Sequence, residues 1–248
     1  MNLDRVIAVR NDKTVFHDGN RCIKMFDGSY DKSIILREAM NQAYAKEIGI
    51  NVPEVIGLSF EDDNKYIISE FIKGKTLENM MQEDSENANS YLCGFVKLQQ
   101  KIQLYKPAGL CRLNKILAEK IVKVSIEDGL KKKLLIKLDD MPEQEALCHA
   151  EFNPSNVIMD PSGRPYIIDW SHLAVGNILA DAAITYVNFI ITGKDKMAES
   201  FLNIYCMENI TQKKWLKEWI PIVAAARLAE GRSYESRLLL EMVYGIKD

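Results

Sequence analysis

One stretch of the chain, from His149 to Asp169, places three polar groups at spacings that suit phosphoryl transfer. Glu151 supplies a carboxylate, Asn156 follows five positions later, and Asp169 comes thirteen positions after the amide. In that chemistry a carboxylate orients the acceptor hydroxyl and takes its proton, while an Asn and an Asp hold the Mg²⁺ ions that neutralise the phosphates. The spacing from acid to amide is that of a kinase catalytic loop. The stretch therefore predicts an ATP-dependent enzyme with Mg²⁺ at Asn156 and Asp169.

A lysine early in the chain could supply a cation for the phosphates. Lys24 lies in a β-prone run, residues 22–26, and its apolar neighbours make an ammonium there costly unless it has a partner. Glu38 is the preferred partner because it lies near the start of the next predicted helix, although Glu47 on the same helix stays open as an alternative. In kinases such a pair holds the α- and β-phosphates.

The segment from Tyr66 to Leu77 passes from an apolar strand through a glycine-containing turn into a helix. Its position suits a connection between two lobes, where backbone groups could bond to an adenine ring. We place those groups near Glu70 and Ile72. A strand, turn and helix without a ligand stays open as an alternative, because backbone contacts leave little trace in a sequence.

Two further residues are predicted to support the loop. His149 is flanked by apolar residues, and bracing the catalytic loop by hydrogen bonds is favoured over a role as base or ligand. Asp181 lies inside an apolar helical pattern, where a carboxylate needs donors. We expect Asp181 to hold backbone amides of the catalytic loop.

The elements that must position these residues divide the chain into a β-rich part and a helical part. After the first three short strands, a helical pattern runs from Ser33 to Gly49, and two more strands follow before residue 72. From Thr76 onward the pattern is helical, apart from short strands at Val157–Met159 and Pro165–Ile168. We therefore predict an α+β fold with two lobes. They are a nucleotide-binding lobe over 1–72, with a small antiparallel sheet and one main helix, and a larger helical lobe over 73–248 that contains the catalytic loop 149–156 and the metal-binding segment 166–170.

Composition excludes several classes of partner. The net charge of −3, from 32 basic and 35 acidic residues, leaves no electrostatic footprint for nucleic acid or an anionic membrane. Five scattered cysteines without a CxxC pair indicate free thiols in a reducing cytoplasm. The most apolar run, 178–192, is interrupted by Asp181 and Asn188 and predicts a buried helix instead of a membrane span. The N-terminus lacks the apolar core of a signal peptide. A cytoplasmic location is expected.

Taken together, these residues resemble the family of aminoglycoside phosphotransferases and choline kinase-like small-molecule kinases. The family pattern is His-Gly-Asp, then Asn, then Ile-Asp-Trp, a glycine and Asp-x-Ala. It appears here as His149-Ala150-Glu151, Asn156, Ile168-Asp169-Trp170, Gly176 and Asp181-Ala182-Ala183. The front of the chain agrees, with Ile23-Lys24-Met25-Phe26, Arg37-Glu38 and the segment from Glu70 to Leu77.

The resemblance implies a bilobal protein-kinase-like fold, ATP with Mg²⁺, and phosphorylation of a hydroxyl on a small molecule. By position, Lys24 would bind phosphates and Glu38 would orient it. Asn156 and Asp169 would bind the metal, and Glu151 would stand at the position of the catalytic base.

The sequence departs from the family pattern at the loop itself. Ala150 replaces glycine, Glu151 replaces the aspartate base, and Asn153 replaces a histidine. Glutamate is longer by one methylene, and a displacement of about 1 Å can cost on the order of 10²-fold in rate. There is also no G-x-G-x-x-G loop, since the turn from Arg10 to Lys13 contains no glycine. We expect a slowed or re-aimed kinase more than an inactive one, because metal and phosphate positioning carry most of the acceleration.

Glu151 also supports a competing interpretation, a nucleotide-binding pseudokinase with a regulatory or scaffold role. The identity of the acceptor, the choice between ATP and GTP, and the oligomeric state are not specified by the sequence. Glu230 or Glu235 could meet a cationic acceptor, but each pattern favours a solvated helix residue.

Overall fold

The computed structural model describes residues 3, 5–10, 13–28, 30–61 and 64–245. By internal contacts the chain forms two compact units. The first comprises Met1–Ser85 and Pro154–His172, and the second comprises Glu86–Asn153 and Leu173–Asp248. These bounds differ from the predicted division at residue 72, which stays a prediction about lobes.

The secondary structure follows the predicted order of a β-rich part and then a helical part. In chain order the elements are β1 (Val6–Arg10), β2 (Lys13–Asp18), β3 (Arg21–Phe26), α1 (Lys32–Glu47), β4 (Val55–Glu61), β5 (Asn64–Glu70), β6 (Lys75–Thr76), α2 (Leu77–Glu83), α3 (Ala88–Gln103), α4 (Leu113–Lys123), α5 (Asp128–Asp139), β7 (Ala146–Cys148), β8 (Val157–Met159), β9 (Pro165–Ile167), β10 (Ala174–Gly176), α6 (Ile178–Ile191), α7 (Asp195–Glu208), α8 (Lys213–Lys217), α9 (Ile220–Leu228) and α10 (Ser236–Tyr244). Two 3₁₀ turns, Ser85–Asn87 and Pro154–Asn156, complete the set.

The first unit is built on a five-stranded antiparallel sheet in the order β1-β2-β3-β5-β4. β2 and β3 form a hairpin whose two-residue turn places Gly19 at a φ of 62°, a conformation that glycine adopts without a steric cost. Side chains alternate across β3, so Ile23 packs on one face with Phe16 and Tyr66, while Phe26 packs on the other.

α1 covers the face of the sheet that carries Phe26. Ile35 and Ala39 of the helix pack with Phe26 and Ile67, and all four side chains are buried. Because β3 side chains alternate, Lys24 lies on the same face as Phe26 and therefore faces α1. Packing of one apolar cluster thus decides which way the lysine points.

A second sheet of the first unit has the order β6-β8-β9. β8 and β9 form a hairpin, with Val157 opposite Ile167. The amide of Ile167 also donates to the carbonyl of Asn51, at 2.9 Å, which anchors the hairpin to the segment after α1. The hairpin therefore brings the residues before β8 and after β9 to one end.

The second unit is mainly helical, and its described strands β7 and β10 pair antiparallel. Gly176 at the end of β10 lies opposite Ala146 and against α4. A Cβ built on Gly176 would approach the Leu113 Cβ to 2.7 Å, so a larger residue would push the strand from the helix. α6 begins directly afterwards, and the side chain of its N-cap Asn177 accepts from the amide of Leu179 at 2.8 Å.

The predicted α+β class, with a small antiparallel sheet, one main helix beside it and a helical remainder, is confirmed. The sequence did not predict β7 and β10, because each has only three residues and both lie in apolar runs without alternation. Residues 11 and 12 of the predicted glycine-free turn lie outside the described residues. Among the described residues, no helix is both long and apolar enough to cross a membrane.

Candidate active site

Lys24 is an ion-pair partner of two carboxylates within the first unit. Its ammonium donates to Glu38 Oε1 and, at 3.0 Å, to Asp169 Oδ1. Glu38 is 2% exposed, whereas the alternative partner Glu47 is exposed at the end of α1. Burial alone would lower the pKa of Lys24, but the charges of Asp169 and Glu38 outweigh it, so that pKa lies above its ordinary value. The ammonium is therefore charged at neutral pH.

A second lysine joins this group. Lys13, at the start of β2, donates to Glu38 Oε2 at 3.1 Å and lies 4.0 Å from Asp169 Oδ1. It is opposite Phe26 in the β2–β3 register, and its ammonium stands 5.1 Å from the centre of that ring. Lys13, Lys24, Glu38 and Asp169 thus form a cluster of two cations and two anions, which we call the lysine cluster.

Asp169 is held in an unusual backbone conformation at the end of the β8–β9 hairpin. Its φ of 64° lies in the left-handed region, which is uncommon outside glycine and is tolerated best by Asn and Asp. The next residue is fixed twice: the Trp170 indole donates to the Ile167 carbonyl at 3.0 Å, and Asn41 of α1 donates to the Trp170 carbonyl at 2.8 Å. Since Asn41 lies one turn after Glu38, one face of α1 fixes both Lys24 and the backbone beside Asp169.

Asn156 lies at the same end of that hairpin. Its carbonyl accepts from the amide of Ile168, the residue directly before Asp169, at 2.9 Å, and its side chain is buried. An amide oxygen and a carboxylate oxygen are hard donors of the type that Mg²⁺ prefers, and Mg²⁺ uses few protein groups and keeps several waters. The residues present therefore fit the predicted metal. Among the described residues, no group of three or more His, Cys, Asp or Glu side chains is arranged to hold a metal ion.

The predicted adenine-binding segment follows β5. The amide of Glu70 donates to the Glu54 carbonyl at 2.8 Å, and the amide of Phe71 donates to the Asn20 carbonyl at 3.0 Å. Within the described residues no backbone hydrogen bond of the Ile72 amide is present. Of the two predicted positions, the amide of Glu70 is therefore already used, and contact of an adenine ring with this segment stays a prediction.

In the second unit, Asp181 contacts the backbone of the loop. Its Oδ1 accepts from the Ala150 amide at 2.8 Å, and its Oδ2 accepts from the side-chain amides of Gln99 and Gln103 at 3.0 Å and 2.8 Å. Asp181 is buried, so these donors satisfy a carboxylate that water does not reach. Ala150 has a φ of 57°, so this alanine stands in the conformation that the family glycine would adopt more easily.

His149 and Phe152 anchor the loop in the core of the second unit. Both side chains are fully buried, with ring centres 5.7 Å apart in an edge-on arrangement. Phe152 also stacks on Phe95 at 4.5 Å, and its carbonyl accepts from the Thr185 hydroxyl at 2.9 Å. The structural position of His149 agrees with a bracing role, which stays a prediction.

Glu151, at the predicted base position, lies in a second charge cluster. Its Oε1 is 3.7 Å from Nη1 of Arg227, near the C-terminal end of α9. Arg227 also contacts Glu230 and holds Glu235 by two parallel hydrogen bonds. Burial alone would lower the pKa of Arg227. The hydrogen bond to Glu235 and the charges of Glu230, Glu235 and Glu151 outweigh burial, so the pKa of Arg227 lies above its ordinary value. We call this group, together with Arg232, the arginine cluster.

The structure therefore brings Lys24, Glu38, Asn156 and Asp169 into the first unit, and Glu151, His149 and Asp181 into the second. It adds two residues that sequence reasoning missed. Lys13 gave no signal, because only the strand register shows that it shares a face with Lys24. Arg227 did give a signal in the sequence, since it is the lone charge of the otherwise apolar helix α9. The expectation of solvated helix residues is wrong for Glu235, which is 2% exposed.

Comparison with known proteins identifies the family. A model of the phosphotransferase enzyme family matches residues 11–219. A thermostable mutant of the aminoglycoside phosphotransferase APH(4)-Ia, in a ternary complex with ADP and hygromycin B, is similar with a TM-score of 0.70 and 16% identity, over 97% of this chain and 91% of that chain. Choline kinase LicA from Streptococcus pneumoniae is similar with a TM-score of 0.65 and 14% identity, over 99% and 94%.

No curated protein matches the chain. At such low identities the two solved structures show that the fold is shared, which confirms the predicted kinase-like fold. The family match covers most of the chain and rests on sequence. The protein therefore belongs to the phosphotransferase enzyme family.

Proposed function

We propose that the protein is an ATP-dependent phosphotransferase that phosphorylates a hydroxyl group of a small molecule with the help of Mg²⁺. The observation that carries the proposal is the contact of Lys24 with both Glu38 and Asp169 in the first unit. Two carboxylates from separate elements hold one partly buried cation at the positions where the family motif expects them. The ligands of similar proteins support the same class: ADP and hygromycin B for the aminoglycoside phosphotransferase, and AMP for choline kinase LicA.

In this reaction the residues have separate tasks. Lys24 binds the phosphates while Glu38 keeps its ammonium in place, and Lys13 adds a second cation on the same face of the sheet. Asn156 and Asp169 would hold Mg²⁺, which would supply positive charge to neutralise the phosphates. The Ile72 amide donates to the adenine ring.

Glu151 acts on the acceptor. The acceptor oxygen forms a bond to the γ-phosphorus, the bond from that phosphorus to the β–γ bridging oxygen breaks, and ADP leaves. The hydroxyl proton passes to the Glu151 carboxylate. General base catalysis of this kind typically contributes about 10²–10⁴-fold, so a glutamate that is displaced relative to an aspartate slows the reaction without removing the contribution of phosphate binding.

Thermal unfolding with ATP, in the presence and absence of Mg²⁺, tests the proposal. ATP at about 100 times its dissociation constant should add roughly 2.7 kcal/mol of stability. The shift should require Mg²⁺ and disappear in Asp169→Asn. The matched control is Asp128→Asn, which removes an almost fully exposed carboxylate of α5 and should keep the shift.

Formation of a phosphorylated product, from a panel of small hydroxyl compounds and [γ-³²P]ATP, provides the second readout. A nucleotide shift that ignores Mg²⁺, without any product or ATP hydrolysis, would indicate a regulatory nucleotide-binding protein instead. The absence of a shift at millimolar ATP would overturn the proposal.

A further inference from the structure

The carboxylate of Glu151 sits on a fixed backbone. The Ala150 amide is held by Asp181, and the Phe152 carbonyl is held by Thr185, so the backbone is anchored on both sides of the residue. Compared with aspartate, however, glutamate has an additional methylene and an additional rotatable bond. A fixed backbone therefore leaves the position of its carboxylate undetermined, and a separate contact must set it.

Arg227 is itself a fixed group. Its Nε donates to Glu235 Oε2 at 2.7 Å and its Nη2 donates to Glu235 Oε1 at 3.0 Å, a two-bond geometry that fixes the plane of the guanidinium. The Glu235 side chain is 3% exposed and the Arg227 side chain 14%. Arg232 also contacts Glu235, at 3.4 Å. A buried pair of this geometry has little freedom to exchange partners.

The remaining nitrogen of the guanidinium reaches the loop. With Nε and Nη2 held by Glu235, Nη1 lies 3.7 Å from Glu151 Oε1 and 3.2 Å from Glu230 Oε2. We propose that Arg227 is a positioning residue that holds the carboxylate of Glu151 in place for the acceptor hydroxyl. This inference rests on the proposed function. Arg227 is assigned no contact with nucleotide or acceptor, and it acts only through Glu151.

The other contacts of the cluster favour this role over capture of a cationic acceptor. Glu230 accepts from Lys120 at 2.8 Å and contacts Arg227 and Arg232, so its charge is balanced by cations of the protein. Glu235 is buried beneath two arginines. The two glutamates therefore serve to orient Arg227, and Glu151 is the carboxylate of the cluster that belongs to the loop.

A double-mutant cycle tests the inference. Arg227→Lys keeps a cation beside Glu235 but loses the planar fork, so it should lower kcat for Mg²⁺-dependent ATP turnover on the order of 10-fold. In a Glu151→Gln background the same change should alter kcat by less than about 2-fold, because the group that Arg227 positions is no longer a base. KM for ATP should stay the same in both backgrounds, since the phosphate-binding residues belong to the first unit. Radiolabelled ATP follows the residual turnover of Glu151→Gln.

Two further variants separate positioning from folding. Arg237→Lys changes an exposed arginine of α10 that pairs with Glu241 outside the arginine cluster, and it should retain the turnover of the parent. Arg227→Met combined with Glu235→Gln removes both members of the buried pair, so no charge is left stranded, and it should repeat the loss of kcat if Arg227→Lys fails to fold. Melting temperatures are measured for every variant.

The outcomes are distinct. An equal loss of kcat in both backgrounds, or a rise in KM for ATP with kcat unchanged, would overturn the positioning role while leaving the proposed function intact. A parent protein that shows neither ATP-dependent stabilisation nor turnover overturns both. A loss of kcat that occurs in the parent background and not in the Glu151→Gln background supports the assignment.

Discussion

The lysine cluster of the first unit and the arginine cluster of the second contain similar numbers of charges but differ in their cations. In the first, the ammoniums of Lys13 and Lys24 share the carboxylates of Glu38 and Asp169. In the second, Arg227 is locked onto Glu235 by two parallel bonds. A lysine is a point charge on a flexible stem, whereas the guanidinium is a rigid fork.

This difference separates two kinds of task. In the proposed reaction the lysine cluster must exchange partners, because Lys24 has to bind phosphates and Asp169 has to bind a metal. An ammonium is a point charge with rotatable donors, so it can exchange a carboxylate for a phosphate without needing one fixed orientation. The arginine cluster must instead hold one side chain still through the reaction. The choice of cation therefore matches whether a cluster exchanges its partners or keeps them.

The largest effect is expected when Asp169, the carboxylate of the lysine cluster that has to bind a metal, loses its charge. Asp169→Asn removes the charge but keeps a residue that tolerates a φ of 64°. We expect kcat to fall by about 10²–10³-fold or more, the size seen when a single group that stabilises transition-state charge is lost. Steady-state turnover of [γ-³²P]ATP measures it. Full activity in this variant would show that Asp169 is not part of the reaction.

The two lysines should differ, which would sharpen the description of their cluster. Lys24→Met should lower kcat/KM for ATP on the order of 10²-fold, because Lys24 contacts both carboxylates directly. Lys13→Met should cost less, about 10-fold at most and mainly in KM, because Lys13 lies 4.0 Å from Asp169. Initial rates over a range of ATP concentrations distinguish the two. Equal losses would contradict the ranking and make Lys13 a full partner in phosphate binding.

Asp181 offers a test of fixed geometry in the second unit. Asp181→Ala would leave the Ala150 amide and the amides of Gln99 and Gln103 without their buried acceptor. An unsatisfied buried polar group costs about 1–3 kcal/mol, so we expect a loss of at least that size in the free energy of unfolding. Urea denaturation at pH 7 provides the measurement. Asp128→Asn, which alters an exposed carboxylate, is the control and should unfold like the parent.

The smallest expected effect is a pH dependence of the arginine cluster. Burial alone would raise the pKa of Glu235, but the hydrogen bond and charge of Arg227 and the charge of Arg232 outweigh it and lower that pKa. A carboxylate with a lowered folded-state pKa contributes stability above its unfolded pKa of about 4.3, and this contribution is lost as the pH falls through the folded-state pKa.

Glu235→Gln should therefore lose less stability than the parent when the pH is lowered from 7 into the range below about 4.3. Urea denaturation at several pH values between these limits shows the difference in slope. Glu86→Gln, at an exposed position, should keep the slope of the parent. An identical slope in Glu235→Gln would mean that the buried pair does not contribute to the acid dependence.

Local chemistry made part of this molecule predictable. The motif residues Glu151, Asn156 and Asp169 were singled out because their spacing is that of a kinase catalytic loop, and Glu38 was preferred over Glu47 because it lies near the start of α1, where it can face the sheet. The contact of Asp181 with the loop followed from the need of a buried carboxylate for donors. In each case a rule about one element was enough.

Other features depend on pairing between distant parts of the chain, which one sequence does not contain. Lys13 joins the cluster because β2 and β3 pair in a register that places it opposite Phe26. Arg227 reaches Glu151 because α9 packs in the second unit, seventy-six positions along the chain from the loop. The engaged amide of Glu70 results from a bond to Glu54. These contacts come from tertiary structure, and no spacing rule predicts them.

The left-handed backbone at Ala150 bears on how such a motif can change over time. An alanine in this conformation costs roughly 1–2 kcal/mol, while a glycine gives up about 0.5–1 kcal/mol through its greater freedom in the unfolded chain. The two terms oppose each other, so exchange between glycine and alanine at position 150 changes the folding free energy by roughly 1 kcal/mol or less. This departure from the family motif could therefore arise or revert by drift without a compensating substitution. Replacement of the neighbouring aspartate by Glu151 is different in kind, because a longer acid gains its position from a partner on another helix. The two differences stand side by side in the sequence, yet only one of them places a side chain of the loop against a residue of α9.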